Sequence, residues 1–178
     1  METCIKTGEE AIKLAARLIR QGETVAFPTE TVYGLGADVF QPEAIKKIYI
    51  AKGRPSDNPL IAHVSSYKML ERVAVNVSED AKKLMQAFWP GPLTVILQKR
   101  ENVPDAVCAG LPTIAVRMPQ NEIALRIIEE ADTPIAAPSA NSSGKPSPTS
   151  AGSPASRSPH RQSACGWAWR ARRPRWYR

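Results

Sequence analysis

The chain has 178 residues, a net charge of +7 and 43% hydrophobic side chains, enough for one domain with a real core. It contains no run of eighteen apolar residues, and "METCIKTGEEAIK" lacks a signal-peptide core, so neither a membrane-spanning helix nor a secretory leader is expected and the chain reads as cytoplasmic. Cys4, Cys108 and Cys165 are odd in number and far apart without a C-x-x-C, which fits reduced thiols better than a disulfide framework or a zinc site.

Seven arginines and no acid fall in residues 151–178, so the first 150 residues hold 17 basic and 17 acidic side chains and are neutral. The basic charge belongs to the tail. Any nucleic-acid contact by the folded part must therefore rest on local patches.

In chain order, Thr7 to Glu10 reads as a capping box, with Thr7 as N-cap of a helix that buries Ile12, Ala15, Ala16 and Ile19 and stops at Gly22. "ETVAFPT" (23–29) is a buried strand running into a loop at Pro28, and Pro42 opens a helix that ends at Lys52-Gly53. "LIAHV" (60–64) is a strand, "SYKMLERV" a short helix, and Ser78 caps a further helix to Trp89. "LTVILQ" (93–98) and "TIAVRM" (113–118) read as strands around a turn-rich connection. Asn121 to Ala131 is a helix, and "TPIAAPSAN" (133–141) a last strand that breaks at Pro138. Helices and strands mix without a strict βαβ repeat, which predicts an α/β domain with a mixed, twisted sheet.

Three stretches carry chemistry. "FPTETVYGLGAD" (27–38) ends a strand in Pro-Thr and adds the hydroxyls of Thr31 and Tyr33 before two glycines that would let backbone approach a ligand. "AKGRPSDNPL" (51–60) sets Lys52 and Arg54 on a Gly/Pro loop, where an arginine fork and a lysine point charge suit a phosphate chain held in a stiff frame. The spacing is not that of a Walker A loop. "APSANSSGKPSPT" (137–149) delivers Ser139, Asn141, Ser142 and Ser143 at a strand end, a dense set of small hydrogen-bonding groups. His63 and Arg117 sit near strand ends; a strand histidine is more often packed core than catalyst, whereas a guanidinium in an apolar strand needs an anionic partner.

Taken together, "PTETVYGLG", "KGRP…NPL…HV", "WPGPLT", "VRMP" and "PSAN.SG.PSPT" resemble the YrdC-like family, the threonylcarbamoyl-AMP synthases, from about residue 7 to residue 150. The chain resembles the longer members, which add a second C-terminal domain. The resemblance implies a YrdC-like twisted mixed sheet with helices around a concave basic cleft, incomplete here at the C-terminus. It implies a reaction in which L-threonine, bicarbonate and ATP give threonylcarbamoyl-AMP and pyrophosphate, with Mg²⁺ carried on the ATP phosphates and no metal held by protein ligands. A downstream transferase complex then modifies the adenosine beside the anticodon of tRNA, and tRNA is itself a candidate partner.

By the same resemblance Lys52, Arg54, Ser139 and Asn141 form the catalytic nucleotide-binding tetrad, and Asn58, Thr113 and Ser147 are further ATP contacts. Thr31, Tyr33, His63, Arg117 and the Ala137 backbone match the threonine pocket, with Arg117 on the substrate carboxylate. No covalent nucleophile is required, and catalysis would be positioning and electrostatics. Three other readings compete: an RNA-binding module on the same face without chemistry, opposed by the neutral charge of residues 1–150; an inactive truncated synthase; and the carbamoyl-adenylate domain of hydrogenase-maturation carbamoyltransferases.

The sequence departs from the family after "PSPTSA". Residues 151–178 lack Ile, Leu, Val, Met and Phe yet hold three of the four tryptophans, so the segment reads as a disordered tail outside the 1–150 domain, leaving a sheet edge uncovered. The Trp167–Ala168 codon junction must encode Gly in the overlapping frame, and its neighbours permit "VGVEST", a run resembling the family's next segment. A frameshifted gene end would account for this.

Overall fold

The computed structural model describes residues 6–53, 57–141, 147 and 149, together with the backbone of 164–166. The first helix, α1 (Glu9–Arg20), buries Ala11, Ile12, Ala15, Ala16 and Ile19. Its entry differs from the expected capping box. The N-cap is Gly8, at φ 81°, a left-handed turn that glycine adopts without the Cβ clash other residues would meet, and no side chain caps the helix. The stop at Gly22 (φ 77°) is as expected.

Chain direction then reverses twice. Strand β1 (Thr24–Phe27) leads through a loop to β2 (Gly34–Asp38), and the two pair antiparallel with Val25 opposite Gly36. The glycine-rich stretch is thus a fully buried strand, not only an open ligand loop. A Cβ on Gly36 would stand 2.5 Å from Ile135 Cγ2 and 2.6 Å from the Phe27 ring, so this glycine serves packing against its neighbours rather than a ligand.

Helix α2 (Pro42–Lys52) begins at its proline and ends on left-handed Gly53. It is followed by β3 (Ile61–His63), the short α3 (Tyr67–Leu70), β4 (Ala74–Val75) and α4 (Glu79–Phe88), whose first turn is capped by the Ser78 hydroxyl. Next come β5 (Val95–Lys99), the single turn α5 (Asp105–Cys108) and β6 (Thr113–Arg117). Helix α6 (Glu122–Ala131) is capped by the Asn121 side chain, which accepts from Ile123 and Ala124, and leads to β7 (Ile135–Ala136). The elements β4 and α5 carry no periodicity that a sequence reading can use.

The sheet runs β4-β5-β6-β3-β7-β2-β1-β8, the last strand being Ala164–Gly166. Strands β3 and β6 pair parallel, as do β1 and β8; the other pairs are antiparallel. This is the mixed α/β sheet expected from the order of elements. Within the segment read as a tail, 164–166 forms β8, which pairs with β1 and takes the end position in the sheet. An edge strand of three residues is held by backbone hydrogen bonds, which need no aliphatic side chains. The rest of 151–178 lies outside the described residues.

The core is one cluster of aliphatic and aromatic side chains between the sheet and its helices, with α1 packed on α6 and Phe27, Ile45, Ile48, Ile127, Ile128 and Ile135 fully buried. Across that contact Arg126 forks onto both oxygens of Glu9, at 2.5 and 2.6 Å. Cys108 is buried, and burial pushes its thiol pKa up, consistent with an inert reduced side chain. No helix among the described residues is long and apolar enough to cross a membrane.

Candidate nucleotide and amino-acid site

The parallel pair β3–β6 organises the candidate residues. His63 and Arg117 face each other at the C-terminal ends of these two strands. Thr113 begins β6 about 13 Å away along the strand, and Asn58 precedes β3 on that same side. Strand β7 runs the other way beside β3, with Ile135 opposite His63, so residues 137–141 travel from the His63 end toward the Asn58 end. His63 and Arg117 thus mark one end of the strand pair and Asn58 and Thr113 the other, while Tyr33 and Ala137 lie with segment 137–141 and the start of β3.

At the first end the structure joins Lys52, Ser139 and Asn141. Lys52 is the last residue of α2 and only 5% exposed, at the helix end expected from the sequence and just before the Gly/Pro loop. Its ammonium donates to the carbonyl of Ser139 and, at 2.5 Å, to the carbonyl of Asn141. Carbonyl oxygens fix an ammonium while leaving its formal charge intact. The Ser147 hydroxyl reaches Asn141 Oδ1 at 3.2 Å. Segment 138–140 is itself tied to the first motif: Leu35 N–H donates to Pro138 O, Ala140 N–H to Tyr33 O, and Gly34 bridges Ser139. Three stretches distant in sequence thus meet, two through backbone and the third through the Lys52 ammonium. Among the described residues no side-chain hydrogen bond brings Asn58 or Thr113 to this group; the Asn58 carbonyl accepts from Tyr49 Oη, and Thr113 pairs with Gln98. Arg54, Ser142 and Ser143 lie outside the described residues.

At the second end Arg117 is 8% exposed and meets three acceptors within the chain. Nε donates to Gly91 O at 3.3 Å, Nη1 and Nη2 approach Thr31 Oγ1 at 3.5 and 3.4 Å, and Nη2 donates to Glu30 Oε1 at 2.6 Å. The anionic partner that a buried guanidinium requires is therefore present in the chain itself, and it is Glu30. The sequence reading passed over it, although it stands inside "PTETVYGLG"; the signal was the demand of Arg117 for an anion. The loop reaches Arg117 because Thr29 shapes it: its hydroxyl donates to Val32 O at 2.6 Å and accepts from the N–H groups of Thr31 and Val32 at 3.2 Å. Since β7 and β3 stand between β2 and β6, this loop crosses both to make the contact.

His63 is buried between these groups, its ring edge-on to Phe27 at 6.1 Å, and its Nδ1 has no hydrogen-bond partner among the described residues. Burial, reinforced by the adjacent Arg117 charge, lowers its pKa from 6.5 to about 4, so the imidazole is neutral at physiological pH. A neutral ring can donate from one nitrogen and accept at the other, the property needed to read a hydroxyl. Tyr33 is buried, and Ala137 directs its N–H to Ile61 O.

A stability consequence follows from the depressed histidine. In the unfolded chain His63 binds a proton below about pH 6.5, whereas the folded form resists it until about pH 4. Its contribution is therefore complete above pH 6.5 and is lost as pH falls toward 4. Urea unfolding of the parent should show this decline, and His63→Gln should flatten it; an unchanged pH slope in the variant would contradict the burial assigned to His63.

The family profile Sua5/YciO/YrdC, described as "Telomere recombination", matches residues 17–161 of the chain. This chain belongs to the Sua5/YciO/YrdC family. It is 59% identical over 143 residues to the threonylcarbamoyl-AMP synthase of Pyrococcus abyssi, covering 80% of this chain and 42% of that one. With the Bacillus subtilis threonylcarbamoyl-AMP synthase it shares 55% identity over 148 residues, covering 83% and 43%. Among solved structures, P. abyssi Sua5 complexed with L-threonine superposes with a TM-score of 0.79 at 57% identity, covering 84% of this chain and 44% of that one. The chain thus spans less than half the length of these relatives. The apolar cavity between α1 and α6, lined by Ile12, Pro28, Ile123 and Ile127, holds none of the twelve candidate residues.

Proposed function

We propose that this chain carries the chemistry of a threonylcarbamoyl-AMP synthase. L-threonine and bicarbonate form N-carboxy-threonine, whose carboxylate attacks the α-phosphate of ATP and displaces pyrophosphate. The observation that carries the reading is the division of the site into two ends, a lysine with serine and asparagine at one and a histidine–arginine–threonine group at the other.

The Lys52 end suits the nucleotide. Lys52, with Arg54, Ser139 and Asn141, would face the phosphates, and Asn58, Thr113 and Ser147 would extend that contact. ATP enters as its Mg²⁺ complex, so the ion is part of the substrate. The Arg117 end suits the amino acid, with the guanidinium on its carboxylate, and Thr31, His63 and the Ala137 carbonyl near its hydroxyl. The P. abyssi relative complexed with L-threonine supports this assignment. The barrier is lowered by holding both reactants in one frame and by cations already placed where phosphate charge develops. The product would pass to a transferase that modifies tRNA in the cytoplasm.

The test is pyrophosphate release by the purified 178-residue chain with ATP, L-threonine and bicarbonate, each omitted in turn. Release that requires all three is expected. RNA binding without threonine-dependent release would instead establish the non-catalytic module.

A further inference from the structure

We infer that Glu30 is a specificity determinant of the amino-acid end: it takes the ammonium group of the substrate whose carboxylate Arg117 holds, an inference that rests on the function proposed above. Glu30 and Arg117 lie side by side, joined through one carboxylate oxygen at 2.6 Å, with side chains 19% and 10% exposed. An α-amino acid is a zwitterion whose ammonium and carboxylate are attached to the same carbon. Laid alongside the Glu30–Arg117 pair in the opposite sense, it sets each of its charges against one of the pair. Thr31 Oγ1 lies against Arg117 here, and His63 stands opposite Arg117 across the β3–β6 pair.

The charge arithmetic favours this arrangement. Arg117 already has an anion, so adding a second carboxylate alone would set two like charges about one guanidinium, at low exposure where repulsion is poorly screened. A substrate that brings its own cation removes the conflict. The pocket should therefore reject carboxylates that lack an amine, more strongly than Arg117 by itself would.

Glu30→Gln isolates the charge, because the amide oxygen can still accept from Arg117 Nη2 and keep the guanidinium in place. Calorimetry on the full chain would compare L-threonine with 3-hydroxybutyrate, the same molecule without the amine, in parent and variant. Expected is a parent that prefers threonine by more than thirtyfold, and a variant in which threonine binding falls at least tenfold while 3-hydroxybutyrate is unchanged or improved. Glu30→Asp, which keeps the charge, should retain part of the preference. Equal loss of both ligands in Glu30→Gln would make Glu30 a support for Arg117 only, and tighter threonine binding would make it a competitor; either overturns the inference and leaves the proposed function standing. A parent that binds no threonine overturns both.

Discussion

Lys52→Met is expected to slow pyrophosphate release about a hundredfold, equivalent to about 3 kcal/mol of lost transition-state stabilisation. Methionine keeps most of the buried stem and removes only the ammonium. That group does two things in the structure: it stands 5% exposed at the end of α2, and it fastens the carbonyls of Ser139 and Asn141. Its loss should therefore loosen segment 138–141 as well as remove charge, with a stability cost of about 1–3 kcal/mol for the two deprived carbonyls. Lys52→Arg should rescue little, because a planar fork replaces a compact ammonium between two carbonyls. Release rates at saturating ATP, with melting curves for both variants, separate the two effects. Activity of Lys52→Met within twofold of the parent would remove Lys52 from the nucleotide end.

Much of the scaffold was legible because its limits are written in local chemistry. Ser78 and Asn121 announce helices by capping, Pro42 opens one, and left-handed Gly53 closes it. Where local chemistry misled, a non-local contact was responsible. Gly36 looked like a ligand-facing glycine, but Phe27 and Ile135 occupy the space a side chain would need, and neither is near it in sequence.

The site divides in the same way. That Lys52, Ser139 and Asn141 belong together was legible from the resemblance; that the lysine is held by their backbone carbonyls was not. The need of Arg117 for an anion was likewise readable from an arginine in an apolar strand. Which anion meets it depends on a loop crossing two strands, a fact of topology that no window of sequence contains.

Arg117→Ala is expected to abolish threonine binding, by a hundredfold or more, while leaving ATP affinity within about threefold, because Arg117 and Thr113 stand at opposite ends of β6, about 13 Å apart. It should also destabilise the fold. The truncation leaves Glu30, a largely covered carboxylate, without its cation, and breaking a buried pair from one side costs about 3–5 kcal/mol. Partial exposure places this pair at the lower end of that range. Removing the stranded charge as well should then restore stability: the double variant Arg117→Ala, Glu30→Ala is expected to recover more than half of the loss, yet to bind no threonine. Urea midpoints for the two single variants and the double variant measure the coupling, and calorimetry with threonine and ATP measures the function. A double variant no more stable than Arg117→Ala would mean that the arginine stabilises the fold through Thr31 and the Gly91 carbonyl rather than through Glu30. Loss of ATP binding with threonine binding intact would move Arg117 to the nucleotide end.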